Sequence, residues 1–426
     1  MEKRELRLLA GFYENELVNR FLSFWLPRCR DEKNGGFFNC FDNAGRKLVS
    51  RDKYTWSQGR FVWIFSKLAA TSAPIFSAAQ RQEFLSLAKQ GADFLEKHCL
   101  LPGEEAICTF LMDEAGAPKL VEGAGRYDMS IYADCFVIAG MSMYAAQSGE
   151  ESKYRFARRL YESVLKRVAE GNFQTLPYPL SPSLRAHGIP MILSNIAKDV
   201  ETASRRFDPA YCEKARADME RFTGDTLSHF LDEKGLIHEI IRADNRFFPQ
   251  LLGQHINPGH SIEDAWFMLD SADYSGHPEW KEKIFHMALR TLETGWDEEM
   301  GGILHFAGLE GGEPLGDNEA YEKEPMSRQL SGWGDKLWWV HSEALYTSLR
   351  CYFESGNEAF RAWHDRIFDY VYSIFPQPDP EIFEWVQIRL RDGSPCEKVV
   401  ALPVKDPYHV MRNLILILEA LYRQME

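Results

Sequence analysis

The sequence predicts an all-α fold in which six helical hairpins close into a ring, an α/α barrel. Hydrophobic residues recur at helical spacing in about twelve segments. Dividing the 426 residues over six helix pairs gives about 71 residues per pair, which is longer than most solenoid repeats and suits a closed ring. No composition break, flexible linker or low-complexity stretch divides the chain, so we expect one domain over residues 1–426.

Loops that contain glycine and proline separate the twelve helical segments. The least helical stretches between them are expected to form substrate-enclosing loops and short β-hairpins. The predicted helices span residues 3–24, 55–72, 76–98, 130–148, 151–170, 188–204, 208–230, 260–275, 279–296, 332–355, 357–376 and 408–424.

Closure of the hairpins into a barrel predicts an inner ring formed by the even-numbered helices. These helices would run parallel, so their N-termini would converge on one face of the molecule. Unsatisfied backbone amides and the positive ends of the helix dipoles favour developing negative charge at such a face. Candidate residues lie in or at the start of each of the six inner helices: Arg60, Tyr132, Asn195, His260, Glu343 and His409.

A short acidic turn followed by glycine recurs along the chain, at residues 31–38, 232–237 and 297–304. In each case a helix is expected to end in the acidic turn, and glycine then permits the bend into a short extended run. Reuse of a common turn chemistry and descent from an ancestral repeat both explain this similarity, and the sequence leaves the two explanations open.

The composition describes a globular protein and argues against several classes of function. A formal net charge of -14 and a pI near 5.4, without a basic run, argue against a nucleic-acid surface. The eight cysteines form no CxxC pair, which argues against zinc or redox motifs and fits buried thiols in a reducing compartment. No dinucleotide, P-loop, zincin, hydrolase-elbow or calcium-loop motif is present. No signal-peptide-like or membrane-spanning run is present either, so we expect a soluble cytoplasmic protein.

Two short segments each place a histidine at the start of a predicted helix, with a charged side chain three residues later. His260 is followed by Glu263, and His409 is followed by Arg412. A residue three positions along a helix lies on the same face, so Glu263 is expected to orient His260. By the same spacing, Arg412 is expected to hold an oxygen-bearing substrate beside His409. The pattern predicts a proton-transfer site with two bases in one pocket.

Both segments also have an ordinary structural interpretation. Ser261 and Asp264 have the spacing of a capping box, which would place His260 just outside the first turn, and the alternative role of His260 is to cap the helix. Arg412 is costly to bury alone, so it is equally explained by an ion pair with a neighbouring helix. The sequence leaves the role of five other histidines ambiguous: His187, His238, His255, His305 and His341.

Aromatic side chains accompany the charged candidates. Arg60 follows Trp56 in the first turns of the second predicted helix, where the arginine would polarise a carbonyl and the indole would stack on a sugar. Trp338 and Trp339 precede Glu343 and suit a sugar platform in the same way. Core packing is the alternative for all of these residues, and we expect it to explain at least one of the paired tryptophans.

At these residues the sequence resembles the N-acylglucosamine 2-epimerase family, and the resemblance extends over most of the chain. The motifs are individually weak, but their order and spacing are specific. The segments that carry the resemblance are residues 53–60, 190–195, 257–266, 336–344 and 408–412.

The resemblance implies an (α/α)6 barrel, often dimeric, that interconverts sugar epimers or aldose and ketose forms without a metal or redox cofactor. It implies that His260 and His409 are the acid/base pair, and that Glu263, Arg412 and Arg60 support them and bind substrate. Some relatives are activated by a nucleotide such as ATP, which this sequence does not assign.

One departure within the family bears on the substrate. Several cellobiose 2-epimerases and aldose-ketose isomerases of the family carry a third histidine where this chain is expected to have Asn195. We therefore expect Asn195 to contact substrate and to favour an N-acylhexosamine over a disaccharide.

The function predicted is inversion of C2 of an N-acylhexosamine by an isomerase. One imidazole would remove the C2 proton from the open-chain sugar, and the other would return a proton on the opposite face. An aldose-ketose isomerase acting on a sugar such as mannose is the first alternative. A glycoside hydrolase with Glu263 and Glu343 about 5–10 Å apart is the second, and a non-catalytic binding protein is the third.

Overall fold

Twelve long helices follow one another along the chain in the computed structural model, which describes residues 1–426. A π-helical turn, Glu16–Leu22, extends the first helix, and a second one, Thr226–Phe230, extends the seventh. The helices are α1 (Lys3–Asn15), α2 (Thr55–Ala70), α3 (Ala78–His98), α4 (Ile131–Ser148), α5 (Glu151–Ala169), α6 (Gly188–Phe207), α7 (Tyr211–Asp225), α8 (Pro258–Ser275), α9 (Trp280–Gly295), α10 (Trp338–Ser355), α11 (Glu358–Ile374) and α12 (Tyr408–Met425).

The even-numbered helices form a closed inner ring. Each even-numbered helix contacts the next even-numbered helix, from α2 through to α12. Helix α12 contacts α2, and this contact closes the ring. Each odd-numbered helix packs outside this ring, against α12 for α1 and against the preceding even helix for α3, α5, α7, α9 and α11. The predicted (α/α)6 barrel is therefore confirmed.

The burial pattern of each helix explains its place in the barrel. In α4 every residue from Cys135 to Ser142 is buried, so this helix is surrounded on all sides. The outer helix α3 instead buries residues at helical spacing, such as Phe84, Ala88 and Ala92, as an amphipathic surface helix does.

Glycine lets two inner helices approach closely. A Cβ atom at Gly59 of α2 would lie 2.3 Å from the backbone oxygen of Phe136 in α4. The backbones of α2 and α4 are therefore in direct contact at Gly59, where there is no side chain to separate them.

Short strands tie the loops together beside the N-termini of the inner helices. Four inner helices follow directly on such a strand, or within two residues of it: α2, α6, α8 and α10. Among the strands, β2 and β3 form a hairpin as predicted, and the other pairs join different loops. Isolated antiparallel bridges close further local turns, for example between Phe41 and Leu48. The pairs are β1 (Lys53–Tyr54) with β2 (Leu111–Met112), β2 with β3 (Pro118–Lys119), β4 (Leu184–Ala186) with β5 (Ile240–Arg242), β6 (His255–Ile256) with β7 (Ala307–Gly308), and β8 (Lys336–Leu337) with β9 (Ile388–Arg389).

The recurrent acidic turns bind buried lysines in two of these loop pairs. The Nζ of Lys53 is 2.7 Å from Asp31, and the Nζ of Lys336 is 3.0 Å from Asp297. Both lysines are fully buried, and one residue separates each of them from the first residue of an inner helix. The turn after an outer helix therefore anchors the strand that leads into an inner helix.

Two predicted helix boundaries are corrected by the local backbone. Helix α10 begins at Trp338 and not at 332, because Gly332 ends a short 3₁₀ turn and Lys336 is in a strand. Helix α8 begins at Pro258, two residues earlier than predicted. None of the helices combines the length and the hydrophobicity needed to span a membrane.

Candidate active site

The N-termini of all six inner helices open into one cavity of about 1020 Å³. Each helix contributes a residue from its first turn to the cavity wall, as the convergence of parallel inner helices predicts. These residues are Trp56, Tyr132, Gly188, His260, Trp338 and His409.

His260 is the third residue of α8 and lies inside its first turn. Asn257 is the N-cap, and its Oδ1 accepts a hydrogen bond from the backbone N–H of His260 at 3.2 Å. Pro258 is the first residue of α8, where its lack of an N–H has no cost. The predicted capping box of Ser261 and Asp264 is therefore wrong, because the helix begins earlier and already has a cap.

The carboxylate partner of His260 is Glu239 and not Glu263. The His260 Nδ1 lies 3.0 Å from Glu239 Oε1, and the remaining ring nitrogen is left for the cavity. Glu239 is 3 % exposed and lines the same cavity. Glu263 turns instead toward α12, so its predicted role in orienting His260 is corrected.

His409 is held as a neutral base. Its Nδ1 lies 2.8 Å from Glu343 Oε1, and its Nε2 lies 3.3 Å from Nη2 of Arg60. Because arginine only donates hydrogen bonds, the contact with Arg60 makes Nε2 an acceptor. Arg412 Nη2 also lies 3.3 Å from Nδ1, but the shorter contact of Nδ1 with the Glu343 carboxylate, which only accepts, places the proton on Nδ1. Burial lowers the pKa of His409 to about 3, and Arg60 and Arg412 add to this effect against the opposing charge of Glu263.

The ring of Trp339 lies between the two histidines. Its centroid is 5.7 Å from the His260 ring and 5.3 Å from the His409 ring. The two imidazoles are thus separated by no more than these two distances together, and they face the same cavity. Gly259 makes room for this indole, since a Cβ atom there would lie 2.4 Å from Trp339 Cη2.

Arg412 binds carboxylates as well as facing the cavity. Its Nη2 lies 2.5 Å from Glu343 Oε1 and is also paired with Glu263. Its side chain is nearly fully buried, and its planar group contacts the ring of Tyr408 at 4.6 Å. The predicted helix-to-helix ion pair is therefore present, and it leaves little of Arg412 for holding substrate.

Arg60 reaches the cavity from α2 beside His409. Asp406 forms an ion pair with it, and the guanidinium lies 4.0 Å from the Phe136 ring centroid. Trp338 also lines the cavity and donates from Nε1 to the backbone oxygen of Asp406 at 3.0 Å. Both paired tryptophans therefore line the cavity, and both also pack against the main hydrophobic core, as expected for at least one of them.

Asn195 does not reach this cavity. It lines a second cavity of about 510 Å³ at the other end of the barrel, together with Lys198, Asp270 and Arg350. The residues of α6 that face the histidines come from its first turns, including Gly188 and Met191. We therefore remove Asn195 from the expected substrate-binding residues.

Two site residues were not singled out from the sequence, Glu239 and His187. His187 is fully buried one residue before α6, and its Nε2 lies 2.8 Å from Asp264 Oδ2. Burial alone would lower the pKa of His187, but its hydrogen bond to Asp264 and the negative charges of Asp264 and Glu239 raise it to about 9. Burial likewise opposes ionisation of Glu239, yet the charges of His260 and His187 hold its pKa far below the usual value. Because the N-termini of the inner helices converge, the position of His187 directly before α6 could have indicated that it lies near the site.

Two triplets of side chains have ligand-type atoms within 4.8 Å of one another, a spacing that a metal ion can use. They are His187, Glu239 and His260, and Glu263, Glu343 and His409. Hydrogen bonds and ion pairs link the members of each triplet to one another or to neighbouring groups.

Comparison with known proteins identifies the family. The model of the N-acylglucosamine 2-epimerase family matches residues 36–413. The chain belongs to this family. The N-acylglucosamine 2-epimerase of Mus musculus is 28 % identical over 431 residues, covering 100 % of this chain and 95 % of the mouse protein. The cellobiose 2-epimerase of Ruminococcus albus is 24 % identical over 421 residues, covering 94 % and 96 % of the two chains.

Solved structures support the same fold. A cellobiose 2-epimerase from Bacillus thermoamylovorans matches with a TM-score of 0.76 at 18 % identity, over 98 % of this chain and 100 % of that one. Membership of the N-acylglucosamine 2-epimerase family confirms the predicted resemblance and the predicted class of enzyme, a sugar epimerase of the isomerases.

Proposed function

We propose that this protein inverts C2 of an N-acylhexosamine, interconverting N-acylglucosamine and N-acylmannosamine, with His260 and His409 as the two bases. The observation that carries the proposal is that both imidazoles lie against Trp339 in one cavity. Each histidine also bonds a glutamate through Nδ1. This leaves Nε2 of His260 for the substrate, while Nε2 of His409 faces Arg60 at the cavity wall.

The chemistry requires an open-chain sugar, because the C2 proton is acidic only next to a C1 aldehyde. One Nε2 removes the C2 proton, and an enediolate-like anion forms. The other imidazole begins the step as an imidazolium and delivers its Nε2 proton to the opposite face of C2, which inverts the centre and leaves that ring neutral. The two rings exchange roles in the reverse reaction. A positioned base or acid of this kind contributes about 10²–10⁴-fold to the rate.

Stabilisation of the enediolate oxygen falls mainly to Arg60 and the helix N-termini. Arg60 lies beside His409 Nε2 and lines the cavity. The N-termini of six parallel inner helices add their free amides and positive dipole ends at the same place. Arg412 contributes by fixing Glu263 and Glu343 rather than by meeting the sugar.

The choice of an N-acylhexosamine rests on the relatives, since Asn195 no longer supports it. N-acylglucosamine 2-epimerases match over almost the whole chain at higher identity than the cellobiose 2-epimerases do. Trp338 and Trp339 provide the indole surfaces on which the face of a sugar packs.

The arrangement of carboxylates does not favour a glycoside hydrolase. Oε1 of Glu263 and Oε1 of Glu343 contact the same nitrogen of Arg412, so the two groups do not flank a bond from opposite sides. Both histidines line the cavity, whereas the hydrolase alternative requires them to turn away.

Product analysis tests the proposal. The purified protein is incubated with N-acetylglucosamine, mannose and cellobiose in separate reactions, with and without ATP, and products are identified by NMR. We expect N-acetylmannosamine from the first sugar as the fastest reaction. Formation of fructose from mannose, with N-acetylglucosamine unchanged, would instead identify an aldose-ketose isomerase.

A homodimer and a cytoplasmic location are further parts of this proposal. The first rests on the family resemblance, and light scattering of the purified protein tests it. The second is supported by the eight free cysteines, of which seven are buried.

A further inference from the structure

His187 is a buried histidine that the proposed reaction does not use. Its ring is not part of the cavity wall, and none of the residue is exposed to solvent. It lies between two buried carboxylates, Asp264 and Glu239. Its Nε2 is 2.8 Å from Asp264 Oδ2, and its Nδ1 faces Glu239 Oε2 at 3.8 Å. His187 is therefore linked to the catalytic His260 through Glu239.

The two atoms that face each other across the 3.8 Å gap have no other partner. Both His187 Nδ1 and Glu239 Oε2 are buried without a hydrogen bond. A neutral His187 that donates from Nε2 to Asp264 would point the lone pair of Nδ1 at a carboxylate oxygen, which is repulsive. A ring protonated on both nitrogens points an N–H and a positive charge at each carboxylate. The geometry therefore favours the imidazolium form, in agreement with the raised pKa of about 9.

The other catalytic histidine is backed by the same order of groups. His409 bonds Glu343, Glu343 is paired with Arg412, and Arg412 is paired with Glu263 on α8. Behind His260 the corresponding series of contacts passes through Glu239 and His187. It ends at Asp264, the residue that follows Glu263 in α8. His187 thus occupies the position that a permanent cation, Arg412, occupies behind His409.

We infer that His187 is a positively charged positioning residue of the proposed epimerase, which neutralises Glu239 and thereby opposes protonation of His260. Without that charge, the full negative charge of Glu239 acts on His260 and favours its imidazolium. His260 would then be available as a base only at higher pH. The catalytic consequence rests on the proposed function, whereas the charge of His187 does not.

Neighbouring groups do not replace this charge. Burial raises the pKa of Tyr132 and lowers the pKa of His255 to about 4, so both are neutral near pH 7. The titratable groups near His187 or Glu239 are Tyr132 on α4, Asp264 and His260 on α8, His255 in β6, and His305, whose pKa burial lowers to about 3.

The pH profile of kcat/KM in His187→Asn tests the inference, because asparagine is polar but cannot carry the charge. We expect the acid limb to move about one unit to higher pH. Activity at pH 6 then falls about tenfold, while activity at pH 8.5 approaches that of the unmodified protein. KM changes little, since His187 does not line the cavity. An unmoved acid limb in a folded variant overturns the inference.

His341→Asn is the matched control. His341 is equally buried, but it bonds only the backbone of Ile303 and Leu337 outside the cavity. Its replacement is expected to lower stability and to leave the acid limb in place. A shift of the same size in this control would show that the effect of His187→Asn is merely structural.

Two further measurements keep the inference testable if His187→Asn does not fold or no turnover is found. Asp264→Asn removes one of the carboxylates that hold the proton, so the acid limb should move in the same direction. In unmodified protein labelled with ¹⁵N-histidine, both ring nitrogens of His187 should be protonated at pH 7.5, and its signals should be those that change in Asp264→Asn. A neutral His187 overturns the inference even in an active enzyme, whereas absent turnover with a charged His187 contradicts only the proposed function.

Discussion

The two histidines proposed as bases, His260 and His409, differ in how strongly the protein constrains them. His409 is 9 % exposed at its side chain, and Glu343 and Arg60 fix its tautomer. The His260 side chain is 28 % exposed and bonds Glu239 alone. Since burial lowers the pKa of His409, its ring is neutral over the neutral range and its Nε2 accepts from Arg60.

Replacing either histidine by asparagine is expected to reduce turnover about 10²–10⁴-fold, because one of the two proton transfers is lost. Asparagine keeps a polar group near the partner glutamate, so the melting temperature should change by only a few degrees. Steady-state kinetics and thermal unfolding of His260→Asn and His409→Asn check this. His286→Asn on the exposed side of α9 is the control, and near-normal activity in either site variant would refute the two-base assignment.

Helical spacing singled out two histidines that line one cavity, but it could not identify their partners. Spacing arguments connect residues three or four apart on one helix, as for His260 and Glu263. The actual partner of His260 is 21 residues away, and that of His409 is 66 residues away. Such pairs depend on how helices are arranged in the ring, which periodicity does not describe. Asn195 was misplaced for the same reason, because it lies too far along α6 to face the histidines.

At the scale of elements, the first turns of α8 and α10 pack so closely that only glycine fits at position 259. A Cβ atom on Gly259 would lie 2.4 Å from Trp339 and 2.6 Å from Val340. The existence of each helix was predictable from hydrophobic periodicity. The strands were not, because they contain two or three residues and mostly pair loops that are distant in sequence.

Gly259→Ala is expected to displace the Trp339 indole and to lower kcat more than tenfold, with a loss of about 1–3 kcal/mol in the free energy of unfolding. Kinetics and urea unfolding check this. Gly11→Ala in α1 is the matched control, because nothing lies within 4 Å of a Cβ atom there. The control should be stabilised by up to about 1 kcal/mol through helix propensity and should keep full activity. An active Gly259→Ala variant would show that the position of Trp339 is not critical.

At the scale of the whole molecule, buried neutral histidines make the fold sensitive to acid. Burial lowers the pKa of His255 to about 4 and the pKa values of His305, His341 and His409 to about 3. Each is near 6.5 in the unfolded chain. The stability that these groups contribute is therefore complete above pH 6.5 and is lost as the pH falls toward 4. His187 has the opposite sign, since its contribution is complete below pH 6.5 and is lost as the pH rises through 9.

The free energy of unfolding is accordingly expected to fall between pH 6.5 and pH 4, with each buried histidine contributing about 1.4 kcal/mol per pH unit. Urea unfolding at pH 7, 6 and 5 measures the slope. His341→Gln should be less stable at pH 7 but should show a slope smaller by about one proton. Equal stability at pH 5 and pH 7 would contradict the neutral state of these histidines.

The core also supports the proposal of one domain. Its main hydrophobic cluster contains 89 buried residues and includes Leu6 and Leu421, from the two ends of the chain. Helix α12 completes the inner ring between α10 and α2 and carries His409. The packing of α12 between α10 and α2 therefore both closes the ring and brings His409 into the cavity that holds His260.

A single turnover in deuterated water tests most directly whether two imidazoles act on opposite faces of C2. With N-acetylglucosamine as substrate, the first N-acetylmannosamine formed should carry solvent deuterium at C2, while the remaining substrate keeps its proton. NMR and mass spectrometry of the early reaction mixture measure both. Transfer of the substrate's own C2 proton to the product, or a ketose product, would contradict the two-base site built by His260 and His409.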